Sequence, residues 1–278
     1  MNKKKWYIII LMIFIFTAGL ILSFRVDSLL LDSFPWLIIV AMIIGIISGA
    51  LGAKFKSKQL FENGSVIRHG TVAFIEHWVT AFGIFILIIS GFMLGFLFFP
   101  PLANTYEKVF MPLNLHFIGI IITLAGGFYF LTDSILSKKL RMLIPDSKDI
   151  LNGTIRKYLL KEKWSNETKY LSSQKSAFLA FAVIGAIQLI TGSIKIAAHF
   201  LVMDPPVLAV NTLVHDIFSL FFIAMLITHI LFTVAVSSHR VLLKSWITGK
   251  VGVKYVKEKH AAWYRELEKI IPKDSNLL

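Results

Sequence analysis

Cysteine is absent from this 278-residue sequence, and charged residues make up only 16% of it. The lack of cysteine excludes disulfide bonds, cysteine-ligated iron–sulfur clusters and thioether-attached haem within the chain. Soluble domains carry about 25% charged residues, so the scarcity of charge argues against a soluble protein. Hydrophobic residues make up 56% of the sequence and fall in long blocks. These properties predict an integral membrane protein.

Six apolar blocks are long enough to cross a bilayer, for which a helix needs about 20 residues. They cover residues 7–24, 34–53, 76–99, 113–131, 177–203 and 211–236. The predicted fold class is therefore all-α, an integral membrane bundle of six transmembrane helices. The first block follows three lysines, as in a signal sequence, but it exceeds the usual apolar region of about 7–15 residues and no small-x-small cleavage site follows it. We expect a retained helix, and a cleaved signal is the alternative.

The net charge of +13 is distributed unevenly among the segments that join these blocks. With the N-terminus inside the cell, the inner segments hold 26 of the 29 lysines and arginines, and the outer segments hold only Arg25 and Lys108. The positive-inside rule then predicts a multi-pass protein of the cytoplasmic membrane with both termini in the cytoplasm. Topology explains the basic excess, so the charge does not indicate nucleic-acid binding.

The last block, 211–236, carries two histidines, His215 and His229. Their 14-residue separation is nearly four helical turns, so both imidazoles leave one face of the helix, about 21 Å apart along its axis. Ionisable side chains inside a membrane helix are costly and usually functional. His77 and His116 lie in the first turns of the third and fourth blocks. The topology therefore pairs His77 with His229 near the inner surface, and His116 with His215 near the outer surface.

Facing imidazoles of this kind hold haem iron inside helical bundles. Two such pairs predict two stacked bis-histidine haems, one towards each surface of the membrane. Zinc fits poorly, because it usually takes four ligands close together. The alternative for each histidine is an interfacial or hydrogen-bonded side chain without a metal. Glycines after the histidines indicate either room for a flat cofactor or close helix packing; they are Gly83, Gly91, Gly119, Gly126 and Gly127.

Lys195 is a basic residue within the fifth block, towards its outer end. An intramembrane ammonium group needs an anion, and a propionate of the outer haem would provide one. Lys195 is therefore a candidate propionate partner. The alternative is a lysine that extends to the outer interface.

Three motifs resemble the cytochrome b (gamma) subunits of respiratory formate dehydrogenases: IEHW at 75–78, NLHFIG at 114–119 and the H-x13-H of the last block. The wider group includes the cytochrome b subunits of membrane nickel–iron hydrogenases. The sequence VGVKYVKEKHAAWYREL at 251–267 resembles the cytoplasmic tail of the formate dehydrogenase branch. The resemblance covers roughly 68–267 and leaves the first two predicted helices outside it.

The resemblance implies a four-helix core with two haem b groups, held by the same histidine pairs that the topology indicates. The chain then divides into an N-terminal extension with two helices (1–60), a four-helix di-haem domain (61–250) and a basic tail with some helical periodicity (251–278). The family also has a quinone pocket at the start of the fifth helix, where Gln174 and Lys175 match its motif and Leu171 replaces an asparagine. Alternatively, Lys175 is only a basic residue at the inner surface.

The resemblance also implies a function and partners. The chain would be the membrane anchor of a respiratory oxidoreductase, with an iron–sulfur subunit and a catalytic subunit on the outer side. Electrons would pass through the outer and then the inner haem to menaquinone or ubiquinone near the cytoplasmic side. The chain need not hold the substrate site, and no catalytic residue is predicted in it. The alternatives are a subunit of a nickel–iron hydrogenase or another reductase, a proton-coupled transporter and a haem-free assembly scaffold.

The charge distribution generates a test of topology. Alkaline phosphatase fused after Leu102 should be active, because that segment is predicted to lie outside, and fusion after Lys148 should be inactive. Green fluorescent protein fused at the same two positions should give the reverse result. Activity of the phosphatase after Lys148 would reverse the predicted orientation and the assignment of the two haem levels.

Overall fold

The computed structural model describes residues 3–25, 27–54, 61–62, 64–103, 105–162 and 167–270. In chain order its helices are α1 (Lys3–Arg25), α2 (Leu30–Ser33), α3 (Leu37–Lys54), α4 (Thr71–Leu94), α5 (Tyr106–Leu136), α6 (Leu140–Leu143), α7 (Lys157–Leu159), α8 (Ser172–Phe200), α9 (Pro205–Ala235), α10 (Ser237–Thr248), α11 (Val253–Lys259) and α12 (Ala261–Glu268). A π-helix, Asp149–Arg156, precedes α7. In the described part of the chain, six helices are long and apolar enough to span a membrane: α1, α3, α4, α5, α8 and α9. The predicted all-α bundle of six transmembrane helices is confirmed.

The ends of these helices differ from the predicted limits of the apolar blocks. Block 211–236 is predicted to begin after two prolines, but α9 begins at Pro205 because a proline in the first turn removes no hydrogen bond that the helix needs. Helix α5 begins at Tyr106, a full two turns earlier than predicted. Helix α4 ends at Leu94, because the next residue, Gly95, has a φ angle of 80° that helices do not continue through.

The chain forms two compact units, and the first contains α1 to α5 together with Trp246–Gly249. Helix α5 is central in this unit, since α3 and α4 pack along it and α1 contacts both α5 and α4. The two N-terminal helices that lie outside the family resemblance therefore pack in the same unit as the helices that carry His77 and His116. The predicted division of the chain at residue 60 stays a prediction.

Two glycines four residues apart allow α3 to lie directly against α5. A Cβ added to Gly45 would lie 2.5 Å from the carbonyl oxygen of Ala125, and one added to Gly49 would lie 2.6 Å from that of Tyr129. Both obstacles are backbone atoms, which cannot turn aside as a side chain can. Small residues at this spacing are the usual means of close helix packing in membranes.

A buried asparagine ties the segment between α1 and α3 to α5. Asn114 is only 1% exposed. The backbone N–H of Leu30 donates to Asn114 Oδ1 over 2.8 Å, and Asn114 Nδ2 donates to the carbonyl of Ser28 over 2.9 Å. Asn114 lies two residues before His116, so the segment between α1 and α3 is hydrogen-bonded to α5 close to a predicted haem ligand.

The second unit contains α6 to α9, most of α10, the C-terminal helices and a small antiparallel sheet. Its strands are β1 (Phe61–Glu62), β2 (Ser65–Ile67) and β3 (Lys250–Gly252), in the order β1-β2-β3, with Val66 opposite Val251. These strands are too short to be detected in the sequence. They join the segment before α4 to the start of the tail.

The tail packs as helices around this sheet rather than extending as a chain. A buried cluster joins the two, and it consists of Val66, Val251, Val256, Trp263, Tyr264 and Leu267. The imidazole of His260 is fully buried and its Nδ1 donates to the carbonyl of Thr168 over 2.6 Å. Burial, and next the charge of Arg68, lower the pKa of His260 to about 4, so this histidine is neutral at physiological pH. The predicted helical periodicity of the tail corresponds to α11 and α12.

The contact between α3 and α5 can be tested at a single glycine. Gly49→Ala should destabilise the protein by about 1–3 kcal/mol, since its Cβ would force apart two backbones. Gly185→Ala on α8 is the matched control, because no described atom lies within 4 Å of its added Cβ. Thermal unfolding of detergent-solubilised protein, followed by circular dichroism, measures the difference. Equal unfolding temperatures for the two variants would contradict the packing seen here.

Candidate metal centre

The four predicted iron ligands lie on three membrane-spanning helices. His77 is on α4 and His116 is on α5, both in the first unit. His215 and His229 are both on α9, in the second unit.

Each predicted pair occupies matching positions in its helices. His116 is the eleventh residue of α5 and His215 is the eleventh residue of α9. His77 is the seventh residue of α4, and His229 is the seventh residue from the end of α9. At 1.5 Å per residue, the first two lie about 15 Å from the starts of their helices and the other two about 9 Å from a helix end. His77 and His116 were predicted in the first turns of their helices. They lie further along, because α4 and α5 begin earlier than the apolar blocks.

A buried hydroxyl group on α4 fixes the protonation of His116. Ser90 is fully buried, and its Oγ donates to the carbonyl of Ile86 over 2.8 Å. His116 Nδ1 lies 2.9 Å from the same Oγ. A hydroxyl has one proton, and here the carbonyl accepts it, so the proton of the second bond belongs to Nδ1. Nε2 of the neutral imidazole then keeps the lone pair that a metal requires.

His215 has the same arrangement with a threonine on α8. Thr191 Oγ1 donates to the carbonyl of Ile187 over 2.8 Å and lies 2.8 Å from His215 Nδ1. The same reasoning puts the proton of His215 on Nδ1 and leaves Nε2 for a metal. Histidines that bind metals almost always donate their other ring N–H in this way. The donor set at His116 and His215 therefore fits haem iron, which takes neutral imidazoles as axial ligands.

Polar contacts between α8 and α9 hold the backbone around His215. Gln188 Nε2 donates to the carbonyl of His215 over 2.8 Å, and Asn211 Nδ2 donates to the carbonyl of Thr191 over 3.0 Å. Hydrogen bonds between helices stabilise association where the surroundings are apolar. These residues were not identified from the sequence, in which a lone glutamine or asparagine within an apolar block gives no sign of its partner.

Lys195 points its ammonium group towards the same part of α9. Its Nζ lies 3.1 Å from Thr212 Oγ1, one helical turn before His215. The ammonium group of Lys195 and the imidazole of His215 thus lie along the same stretch of α8 and α9. The role of Lys195 as a propionate partner stays a prediction.

The other two histidines have mainly aromatic neighbours. The ring of His77 stacks on Trp246, with 4.4 Å between ring centroids and 22° between planes, and Trp246 also stacks on His69 at 3.8 Å. The ring of His229 meets Phe181 of α8 edge-to-face at 5.9 Å. These contacts limit the rotation of both imidazoles. Nothing in the sequence links Trp246 to His77, because they are far apart in the chain.

The glycines after the histidines are of two kinds. A Cβ added to Gly83 would collide with the backbone of α5, and atoms of α4 lie 2.9 Å and 2.5 Å from the Cβ positions of Gly119 and Gly126. At these three positions the packing alternative is confirmed. Among these five glycines, Gly91 and Gly127 are the two with no described atom within 4 Å of an added Cβ.

Gln174 and Lys175, the predicted quinone contacts, both have protein partners. Lys175 is buried, and its Nζ lies 2.8 Å from Asp149 Oδ2. Gln174 Oε1 accepts from Arg68 Nη2 over 3.0 Å and from the N–H of Leu171 over 3.1 Å. These contacts organise the start of α8, and a role at a quinone stays a prediction.

The buried charges at this end of α8 remain ionised. Burial alone raises the pKa of Asp149, but hydrogen bonds from Lys175, from Ser172 and from the backbone of Asp146 outweigh it, so the pKa is lowered. Burial lowers the pKa of Arg68 to about 10, still well above neutrality. At neutral pH, Asp149 is therefore anionic and Arg68 cationic.

Comparison with known proteins covers all four histidines. Residues 68–249 match the family described as Prokaryotic cytochrome b561. The chain is 29% identical over 198 residues to the "Formate dehydrogenase, nitrate-inducible, cytochrome b556(Fdn) subunit" of Escherichia coli (strain K12), with 69% of this chain and 87% of the relative covered. It is 24% identical over 217 residues to the "Formate dehydrogenase, cytochrome b556(fdo) subunit" of the same strain, with 75% and 96% covered.

These comparisons confirm the family resemblance expected from the sequence. The matched region begins at residue 68, just before α4, so α1 to α3 lie outside it. It takes in α4 and α8, which hold the hydroxyl partners, and α5 and α9, which carry His116 and His215. Because the match spans more than half of the chain, this multi-pass membrane protein belongs to the prokaryotic cytochrome b561 family.

Proposed function

We propose that this protein is the membrane-anchor cytochrome b subunit of a respiratory oxidoreductase of the formate dehydrogenase type, with two haem b groups. Bound haem supplies a one-electron Fe(III)/Fe(II) couple. The observation that carries the proposal is the matched pair of hydroxyl contacts that leave Nε2 of His116 and His215 available. Both relatives compared above are named as formate dehydrogenase subunits, which favours this branch over a hydrogenase subunit.

The histidines divide between the haems by their depth in the helices. His116 and His215 would be the axial ligands of one haem, since each is the eleventh residue of its helix. His77 and His229 would hold the other haem, since each is seventh from a helix end. On α9 the two ligands are about 21 Å apart along the axis, which leaves room for one haem at each level.

The orientation follows from the basic residues. With both termini in the cytoplasm, His116 and His215 lie towards the outer surface, and Lys195 beside Thr212 would pair with a propionate of the outer haem. An iron–sulfur subunit and a catalytic subunit would bind on the outer side. The inner haem, at His77 and His229, would then be the last carrier before the quinone.

The start of α8 is the place for menaquinone or ubiquinone. Gln174 and Lys175 lie there, and Phe181, which contacts the ring of His229, is six residues further along the same helix. Six residues correspond to about 9 Å along the axis. Phe181 at the inner haem ligand and the polar side chains at the helix start are therefore about 9 Å apart along the axis.

The assignment of ligands is tested by single substitutions. His116→Ala and His215→Ala should each remove the same b-type component from the reduced-minus-oxidised spectrum, and His77→Ala and His229→Ala should each remove the other. His199→Ala, an exposed histidine of α8, is the control and should keep both. Loss of one and the same component in His77→Ala and His116→Ala would show that the pairing is wrong, and an unmodified protein without haem bands would refute the function.

The hydroxyl contacts have a separate signature. Ser90→Ala and Thr191→Val should each weaken retention of the outer haem by roughly 10-fold or more, as expected when a partner of a metal-binding histidine is lost. Each should also raise the reduction potential of that haem, because an imidazole that no longer donates from Nδ1 is a weaker base and stabilises Fe(III) less.

Redox titration of the two haems measures this effect. Thr17→Val is the matched control, since the Thr17 hydroxyl likewise donates to the carbonyl four residues back but lies exposed on α1. A change confined to the inner haem, or an equal change in the control, would contradict the role given to Ser90 and Thr191.

A further inference from the structure

We propose that Lys157, Glu167, Ser172, Asp149 and Lys175 form a proton-transfer chain that leads from the cytoplasmic surface to the start of α8. Its task would be to deliver the protons that a quinone takes up when it is reduced. This inference rests on the function proposed above, because it assumes a quinone near Lys175.

The chain consists of four consecutive hydrogen bonds or ion pairs in one unit of the structure. Lys157 Nζ lies 2.6 Å from Glu167 Oε1, and Glu167 Oε2 lies 3.0 Å from Ser172 Oγ. Ser172 Oγ lies 2.8 Å from Asp149 Oδ1, and Asp149 Oδ2 lies 2.8 Å from Lys175 Nζ. Every link is within hydrogen-bonding distance, so the path is continuous from one ammonium group to the other.

The exposure of the side chains gives the path a direction. Lys157 is 26% exposed and therefore reaches water, while Glu167 is 2% exposed. Ser172 is fully buried, and Asp149 and Lys175 are buried. Protons would reach these buried groups through Lys157, because it is the most exposed member of the path. The two lysines and two carboxylates also balance in charge, so the path carries no net charge at rest.

The position of the Ser172 hydroxyl is not explained by helix capping alone. Glu167 already caps α8, because the backbone N–H of Ser172 donates to its Oε2 over 2.7 Å. The hydroxyl has a single proton but lies between two carboxylates, so it donates to one of them at a time and accepts from the other only when that carboxyl group carries a proton. A group that both accepts and donates is what a relay requires between two carboxylates.

The proton balance of the step is as follows. A quinone that receives two electrons takes two protons and becomes a quinol. For each proton, the ammonium group of Lys175 gives one to an oxygen of the reduced quinone. Lys157 then gives a proton to Glu167 and is reprotonated from cytoplasmic water. Glu167, Ser172 and Asp149 each receive one proton and pass one on towards Lys175, which restores the charge of every group.

Protons and electrons would reach the quinone at the same end of α8. Lys175 lies about 9 Å along the helix from Phe181, the residue in contact with His229. Arg68, which donates to Gln174 next to Lys175, adds a fixed positive charge. Such a charge favours an anionic, partly reduced quinone until it is protonated.

Ser172→Ala tests the proton-transfer chain at its centre. The substitution removes only the hydroxyl and keeps the backbone cap. Ser176→Ala is the matched control, since the Ser176 hydroxyl lies one turn further along α8, contacts Thr154 and is outside the proton-transfer chain. In the complete complex, with a quinone analogue in stopped flow, Ser172→Ala should leave haem reduction by the donor unchanged. Haem reoxidation by quinone should slow 10-fold or more, with a larger solvent deuterium isotope effect. Ser176→Ala should match the unmodified protein.

Lys157→Arg provides a second test that does not depend on the first variant folding. Arginine keeps the ion pair with Glu167 but does not release its proton, so a purely structural role predicts normal turnover and a proton-transfer role predicts slow turnover. Methylammonium added to Lys157→Ala should restore the rate. Normal quinone turnover in Lys157→Arg would overturn the inference, as would an unchanged rate in Ser172→Ala. Failure of the proposed function would be distinguishable, because the unmodified protein would then show no haem bands or no reoxidation by quinone.

Discussion

Hydrocarbon offers no hydrogen-bond partners, and this constraint decides the local chemistry of the spanning helices. Three hydroxyl groups in the described helices, those of Thr80, Ser90 and Thr191, satisfy it by donating to the carbonyl four residues back. A hydroxyl whose proton is donated to a carbonyl presents only acceptor lone pairs to its other neighbours. The histidine beside it must therefore supply the proton, and its other nitrogen keeps the lone pair that a metal would bind. In this way the solvent properties of the bilayer select the tautomer of a predicted haem ligand.

The fold class and the positions of the histidines could be predicted because they depend on features that are local in sequence. Long apolar blocks, the one-sided distribution of basic residues and the 14-residue spacing on α9 are all visible without knowledge of contacts. Helix limits were predicted less well, since prolines and glycines act according to position. Pro205 begins α9, Pro112 lies within α5, and Gly95 ends α4. Hydropathy does not distinguish these three uses.

The partners of the functional residues could not be predicted, because each comes from another part of the chain. Ser90, Thr191 and Trp246 are ordinary residues in sequence and acquire a role only by lying against a histidine. The ion pair of Lys175 with Asp149 is likewise formed across a polar loop. The glycines show the same limit: sequence indicated small residues near the histidines, but only the structure separates the three that serve helix packing from Gly91 and Gly127.

The pairing of β2 with β3 also has a consequence for biosynthesis. Val66 is translated before the other five residues of its buried cluster, among them Val251, Val256 and Leu267, which all follow the last membrane helix. Strand β2, which leads into α4, thus stays without its second partner β3 until every spanning helix has been translated. The small buried cluster is therefore completed only after all six spanning helices have been made, and a product truncated before β3 would leave Val66 without Val251 and Val256 as neighbours.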